Sequence, residues 1–211
     1  MRILIVSQYF WPENFRLNDL AIGLSDKGHQ VTVLTGAPNY PDGKVFAQYK
    51  AHPKNFEKLG NIEICRVPLI SRGSSKIRLA INYLSFLMSS CIIGSFKLRH
   101  AEFDKIFVYQ VSPMTVGLTA VLFSRLKKAP IYFWVLDQWP ETLVAMGIIK
   151  SKYSIAIFAA MTRFIYANCT AILGQSQPFL DKISEHGVEA DRLYYFPNWA
   201  EDIFDNKTVK A

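Results

Sequence analysis

One residue beyond the apolar run ILIV (3–6), the chain reads QYFWPENFRLND (8–19). A strand-to-helix junction that cradles phosphate on backbone amides carries glycines at this point, yet the first glycine here is Gly23. The junction offers Glu13, Asn14, Arg16 and Asn18 instead, so recognition here falls to side chains. Similar residues follow each later apolar run. Asn39 and Tyr40 stand in GAPNYPDGK (36–44), Gln110 in QVSP (110–113), and Asp137, Trp139 and Glu141 in DQWPE (137–141). Carboxylates and amides can hold hydroxyl groups, and a carboxylate can accept a proton. Each residue also has a plainer use. Asp137 can cap a helix starting at Pro140 and Glu141, Glu13 can face a helix dipole, and Arg16 can be a surface arginine. PNYPDG can be an ordinary turn.

The elements that position these residues follow from periodicity. RILIVS (2–7), QVTVLT (30–35), IEICRV (62–67), KIFVYQ (105–110), IYFWVL (131–136) and TAILGQ (170–175) read as strands, with RLYYFPNW (192–199) as one more short strand. Most are almost continuously apolar, which suits strands covered on both faces. Helical segments are predicted near 15–27, 76–99, 114–127, 152–168 and 177–186. Alternation of strand and helix predicts an α/β fold with a doubly wound parallel sheet and right-handed crossovers. Such sheets bind ligands beyond the carboxyl ends of their strands, the edge where the polar residues gather.

Composition narrows the function. The 211 residues are half hydrophobic, enough for one domain with a sizeable core. Cys65, Cys91 and Cys169 lie far apart and read as buried small hydrophobes in a reducing compartment. The four histidines are scattered, so no metal site is predicted. The N-terminus lacks a signal-peptide pattern, which predicts a cytoplasmic protein. The net charge is +7, and eleven basic residues against four acidic ones between Lys44 and Lys105 account for all of it. Such a region can be a solvated face, or can meet anionic lipid or a phosphorylated ligand. Nucleic acid is not expected, because no nucleic-acid motif accompanies the charge. The absence of GxGxxG after the first strand argues against a nicotinamide or flavin oxidoreductase. The uncharged stretch LAINYLSFLMSSCIIGSF (79–96) is bracketed by SSKIR and KLRH. It reads either as a core crossover helix or as a monotopic helix on a bilayer.

ILIVSQYFWPENFRLNDLAIGLSDKGHQVTVLT (3–35) resembles the N-terminal half of bacterial retaining glycosyltransferases of the GT-B fold, of the group-one, family-four type. In that family a first strand runs to a Tyr/Phe-x-Pro-Glu turn, then a helix ends in Lys/Arg-Gly-His before a Val-x-Val strand. The matching residues here are Phe10, Pro12, Glu13, Lys27, Gly28, His29, Val31 and Val33. PNYPDGK, LDQWPE and FPNWAE resemble the subgroup that builds O-antigen and colanic-acid polysaccharides, including N-acetylfucosamine transferases. Two departures stand out. Phe15-Arg16 occupies the place of a Gly-Gly pair that brings backbone amides to the donor phosphates, where Arg16 can substitute by holding phosphate bidentately. No Glu-x7-Glu donor motif follows within the chain.

The resemblance implies a Rossmann-like acceptor-binding domain over 1–198, with 199–211 beginning the interdomain linker or tail and the C-terminal donor domain absent. A chain of that kind is expected to be inactive alone. For the whole enzyme it implies hexosyl or N-acetylhexosaminyl transfer from a nucleotide-sugar, a UDP-sugar foremost, with retention and with neither metal nor other cofactor. The acceptor implied is a polyprenyl-diphosphate-linked glycan in lipopolysaccharide synthesis, met on the inner face of the cell membrane. Asp137 is the candidate catalytic group. Glu13, Asn14, Arg16, Asn18, Asn39, Tyr40, Gln110, Trp139 and Glu141 are the candidate substrate contacts, with Trp139 stacking on a sugar ring. The rival is a non-catalytic module of similar fold that binds a phospholipid or phosphoglycan.

Overall fold

The computed structural model describes residues 1–73 and 75–200. Its first strand β1 (Arg2–Val6) leads through a long turn to α1 (Arg16–Asp26) and β2 (Gln30–Gly36). A short helix α2 (Ala47–Ala51), a 3-10 turn (Pro53–Phe56) and a two-residue strand β3 (Lys58–Leu59) precede β4 (Ile62–Val67). Helix α3 (Lys76–Ser89) continues through a π turn (Ser90–Gly94) into α4 (Ser95–Lys97). Then come β5 (Lys105–Gln110), α5 (Val116–Lys127), β6 (Ile131–Val135), α6 (Glu141–Ala145), α7 (Lys152–Ala167), β7 (Ala171–Gly174), α8 (Gln177–Ser184) and β8 (Leu193–Tyr195).

The strands form one sheet in the order β3-β4-β2-β1-β5-β6-β7-β8. Every pairing is parallel except β3 with β4. From β1 the chain winds outward through β2 and β4, then returns to place β5 on the other side of β1. The switch point therefore lies between β1 and β5, where a doubly wound sheet opens its ligand crevice.

Continuous apolar runs are required because both faces are covered. Ile3 and Ile5 of β1 pack with Leu17 and Ala21 of α1, while Leu4 and Val6 join Phe86 of α3, Phe123 of α5 and Ile165 of α7. The segment after β8 closes the first face. Phe196 and Trp199 lie against Trp134, the latter stacked at 5.8 Å. Packing thus extends through Trp199, one residue past the expected boundary at 198, and 201–211 lie outside the described residues. Gly28, at φ 81°, ends α1 in the left-handed conformation that favours glycine.

The helix over the uncharged stretch crosses from β4 to β5 and buries Phe86 in the core. Its polar stripe faces inward: Asn82 and Ser90 are fully buried, and the Ser90 hydroxyl meets that of Thr119 at 2.8 Å. Its apolar stripe faces outward, with Ile77, Leu84, Met88, Ile92 and Phe96 each more than half exposed. From Lys76 to Lys97 it is long and apolar enough to cross a membrane, yet only 22% of its most apolar window is buried.

One close approach fixes how α5 seats on the sheet. A Cβ on Gly117 would lie 2.5 Å from Ile165 Cγ2 and 2.9 Å from Phe133 Cε2. Gly117→Val should therefore destabilise the chain by about 1–3 kcal/mol through overpacking, more than its better helix propensity returns. Urea unfolding checks this, and an unchanged midpoint would contradict the packing described.

Candidate functional site

The turn after β1 is held by two buried ions. Glu13 is 2% exposed. Its Oε1 accepts the backbone N–H groups of Asn39 at 2.8 Å and Tyr40 at 2.7 Å, and its Oε2 accepts that of Phe10 at 3.2 Å. Arg66 on β4 is 6% exposed. It donates to the carbonyls of Phe56 at 3.2 Å and Gly36 at 2.8 Å, and also to that of Trp11. The two residues lock the turns after β1 and β2 to β4. Burial is the largest influence on both. It raises the Glu13 pKa against the pull of the three N–H groups and Arg66, and lowers that of Arg66 to about 10. Asn18 completes the brace, its Oδ1 accepting Trp11 N–H at 3.0 Å and its Nδ2 donating to Glu13 O at 2.8 Å.

These bonds engage part of the expected contact set. Glu13 and Asn18 are committed to backbone groups that a buried turn must satisfy, so they shape the site rather than meet hydroxyls. Trp139 is 5% exposed and packs on Phe158 and Tyr83, so its ring faces are covered by protein rather than open to a sugar. Glu141 opens α6 and lies 3.2 Å from His186 Nε2, away from the switch point. Asn14 is exposed on the turn. Arg16 pairs with Asp19 at 3.2 Å.

The remaining residues converge. Gln8 after β1, Asn39 after β2 and Gln110 at the end of β5 are buried amides at the carboxyl ends of neighbouring strands. Gln8 Nε2 donates to Asn82 Oδ1 at 2.7 Å, and Asn39 Nδ2 to Ala37 O at 2.9 Å. Gln8 Oε1, Asn39 Oδ1 and both polar atoms of the Gln110 side chain have no partner among the described residues. Buried polar atoms are nearly always paired, and four that have no partner among the described residues lie together at the switch point. Above it the rings of Tyr9, Phe15 and Tyr40 lie 5.2–5.5 Å apart, with Arg72 over Tyr40 at 5.6 Å. Phe15 thus fills with an aromatic ring the position where the resemblance implies glycine. Two residues past β6, Asp137 is half-buried and its Oδ2 accepts Trp139 Nε1–H at 2.9 Å. It does not cap α6, whose first turn is preceded by Pro140 with no side-chain cap. Next to it, the Tyr83 hydroxyl meets Ser112 Oγ at 3.0 Å.

Gln8, Arg66, Asn82 and Tyr83 are contributors that sequence reasoning missed. An arginine inside IEICRV and an asparagine inside an uncharged helix were the available signals. Among the described residues no three of His, Cys, Asp and Glu stand close enough together to hold a metal ion.

Residues 14–199 match the model of the glycosyl transferase 4-like domain. The chain belongs to that family. It is 24% identical over 209 residues to the protein named colanic acid biosynthesis glycosyl transferase WcaI of Escherichia coli K12, covering 95% of this chain and 51% of that protein. It therefore spans about half the length of this relative. Solved structures of similar fold include LpCGTa in complex with UDP, at a TM-score of 0.59 and 11% identity, covering 97% of this chain and 55% of that one. Anabaena Alr3699/HepE in complex with UDP and glucose gives 0.52 at 12% identity, covering 95% and 45%. This glycosyl transferase 4-like domain has the fold of one half of a GT-B enzyme, with its amides and Asp137 on the sheet edge where such folds bind ligands.

Glu13→Gln tests the brace. An amide presents one N–H2 where a carboxylate presented only acceptors, so one backbone N–H loses its partner at a loss of about 1–3 kcal/mol. Because folding raises the carboxyl pKa, the stability Glu13 contributes is full below its unfolded value of about 4.3 and falls as pH rises through the folded value. The gap between wild type and variant in urea unfolding should be larger near pH 4 than near pH 7. A gap that widens with pH would contradict the assignment.

Proposed function

We propose that this domain is the acceptor side of a retaining glycosyltransferase that moves a hexosyl or N-acetylhexosaminyl group from a nucleotide-sugar to a lipid-linked glycan of a surface polysaccharide. The observation that carries the reading is the set of buried amides with unpaired atoms, Gln8, Asn39 and Gln110, at the switch point of a glycosyl transferase 4-like domain. Amides offer both a donor and an acceptor, the pairing that sugar hydroxyls require. Asp137 beside them is the group to orient the acceptor hydroxyl and draw its proton as the new bond forms. Its bond to Trp139 engages Oδ2 of the carboxylate and fixes its position. In place of a glycine cradle, the Arg72 and Arg16 guanidinium groups are the side chains that can contact phosphate. A UDP-sugar is the donor class this reading favours, with a second domain holding it across the cleft.

The proposed location is the cytoplasmic face of a membrane. The outward apolar stripe of α3, bracketed by Lys76, Arg78, Lys97 and Arg99, fits a helix lying in an anionic interface.

Sugar transfer by the whole protein containing this domain tests the reaction. The assay supplies UDP-, GDP- and dTDP-sugars with a polyprenyl-diphosphate-sugar acceptor. Asp137→Asn keeps a bond to Trp139 and should lower kcat by about 10²–10⁴-fold, the usual share of general-base catalysis. Gln110→Leu should raise KM more than it lowers kcat. Full activity of Asp137→Asn would remove it from the chemistry, and no transfer from any donor would favour the non-catalytic lipid-binding module.

Sedimentation with vesicles tests the membrane contact. Binding should require anionic lipid, weaken with salt, and fall at least tenfold in the double variant Ile92→Glu, Phe96→Glu. Binding indifferent to lipid charge and to the double variant would exclude the outer face of the Lys76–Lys97 helix as the contact.

A further inference from the structure

Between α3, α6 and the start of α7 runs a groove of about 280 Å³ with Leu79, Ala80 and Leu84 on one wall and Leu143, Ile149 and Phe158 on the other. Its one charged lining residue is Lys76, whose ammonium reaches across to the Gly147 carbonyl at 3.3 Å. Tyr83 and Trp139 also line it, and these two rings hold Ser112 and Asp137. The apolar groove is thus continuous with the polar edge of the sheet. Arg72, Lys76 and Arg78 stand around the start of α3, with no acidic residue anywhere between Glu63 and Glu102.

We propose that this groove seats the hydrocarbon chain of a phosphorylated single-chain lipid, with the phosphate against Lys76 and Arg72 and the attached sugar toward Asp137 and Gln110. The inference rests on the lipid-linked-acceptor reading and gives that acceptor a route. The size of the groove selects the occupant. At about 280 Å³ it falls just under the usual range for small-molecule pockets, roughly 300–1,000 Å³. A hydrocarbon chain fits, and the outward stripe of α3 sets the groove beside the bilayer that would supply it. The cations at one end and the apolar walls match the two parts of such a lipid.

Calorimetry of the 211-residue chain tests this with three soluble probes below any micelle concentration: farnesyl monophosphate, isopentenyl monophosphate and inorganic phosphate. Farnesyl monophosphate should bind at least tenfold more tightly than isopentenyl monophosphate, and inorganic phosphate most weakly. Ala80→Trp, which fills the groove from an exposed position, and Leu84→Glu, which charges its rim, should each weaken farnesyl binding at least tenfold with unchanged melting. Equal affinity for the three probes, or farnesyl binding untouched by both variants, overturns the proposal. The transferase reading fails separately. Chain-length discrimination without sugar transfer by the whole protein would keep the groove and reject the reaction. Transfer to a lipid acceptor with no chain-length discrimination would do the reverse.

Discussion

Two buried ions that bond to backbone hold the site together. Glu13 collects three N–H groups from the turns after β1 and β2, and Arg66 donates to the carbonyls of Trp11, Gly36 and, in the 3-10 turn before β3, Phe56. Burying either charge is unfavourable, and burial shifts both pKa values toward the neutral form. What compensates is complete hydrogen bonding of loop backbone that has no strand partner. With those turns fixed, Gln8, Asn39 and Gln110 can stand under the sheet edge with polar atoms unspent. The rigidity of the site therefore lies in its brace, and its chemistry in the residues the brace leaves over.

The fold was legible because its signals are local and repeated. Apolar runs of strand length alternating with helical segments placed seven strands and five main helices close to where they stand, and the doubly wound order followed from crossover geometry. Fates within the site were less legible. Glu13 and Asn18 lie between β1 and the first turns of α1, Gln110 ends β5 and Asp137 follows β6, and sequence spacing cannot say which of these polar residues will be taken by orphan backbone groups. Glu13 and Asn18 were taken, whereas Gln110 was not. The resemblance implied Trp139 as a sugar platform, but tertiary packing sets it against Phe158 and Tyr83. Gln8 and Asn82 pair across 74 residues, a separation no motif reports.

The helix over Lys76–Lys97 buries polar side chains beside Phe86 on its inner face. A core helix directs its apolar stripe inward. Here Asn82 and Ser90 occupy the inner face and bond to the sheet-edge turn and to α5, which leaves Ile77, Leu84, Met88, Ile92 and Phe96 to the outside. The same helix that secures Gln8 through Asn82 thus presents an apolar outer surface.

The account stands or falls on whether the buried amides contact the acceptor. The most direct measurement is NMR of the side-chain N–H2 groups of Gln8, Asn39 and Gln110 in the 211-residue chain, during titration with a soluble prenyl-diphosphate-linked sugar. The account predicts saturable shifts of the Gln110 and Gln8 amides, with Asn18 unmoved because both its polar ends are already bonded. Saturable binding with Gln8, Asn39 and Gln110 unperturbed would contradict it.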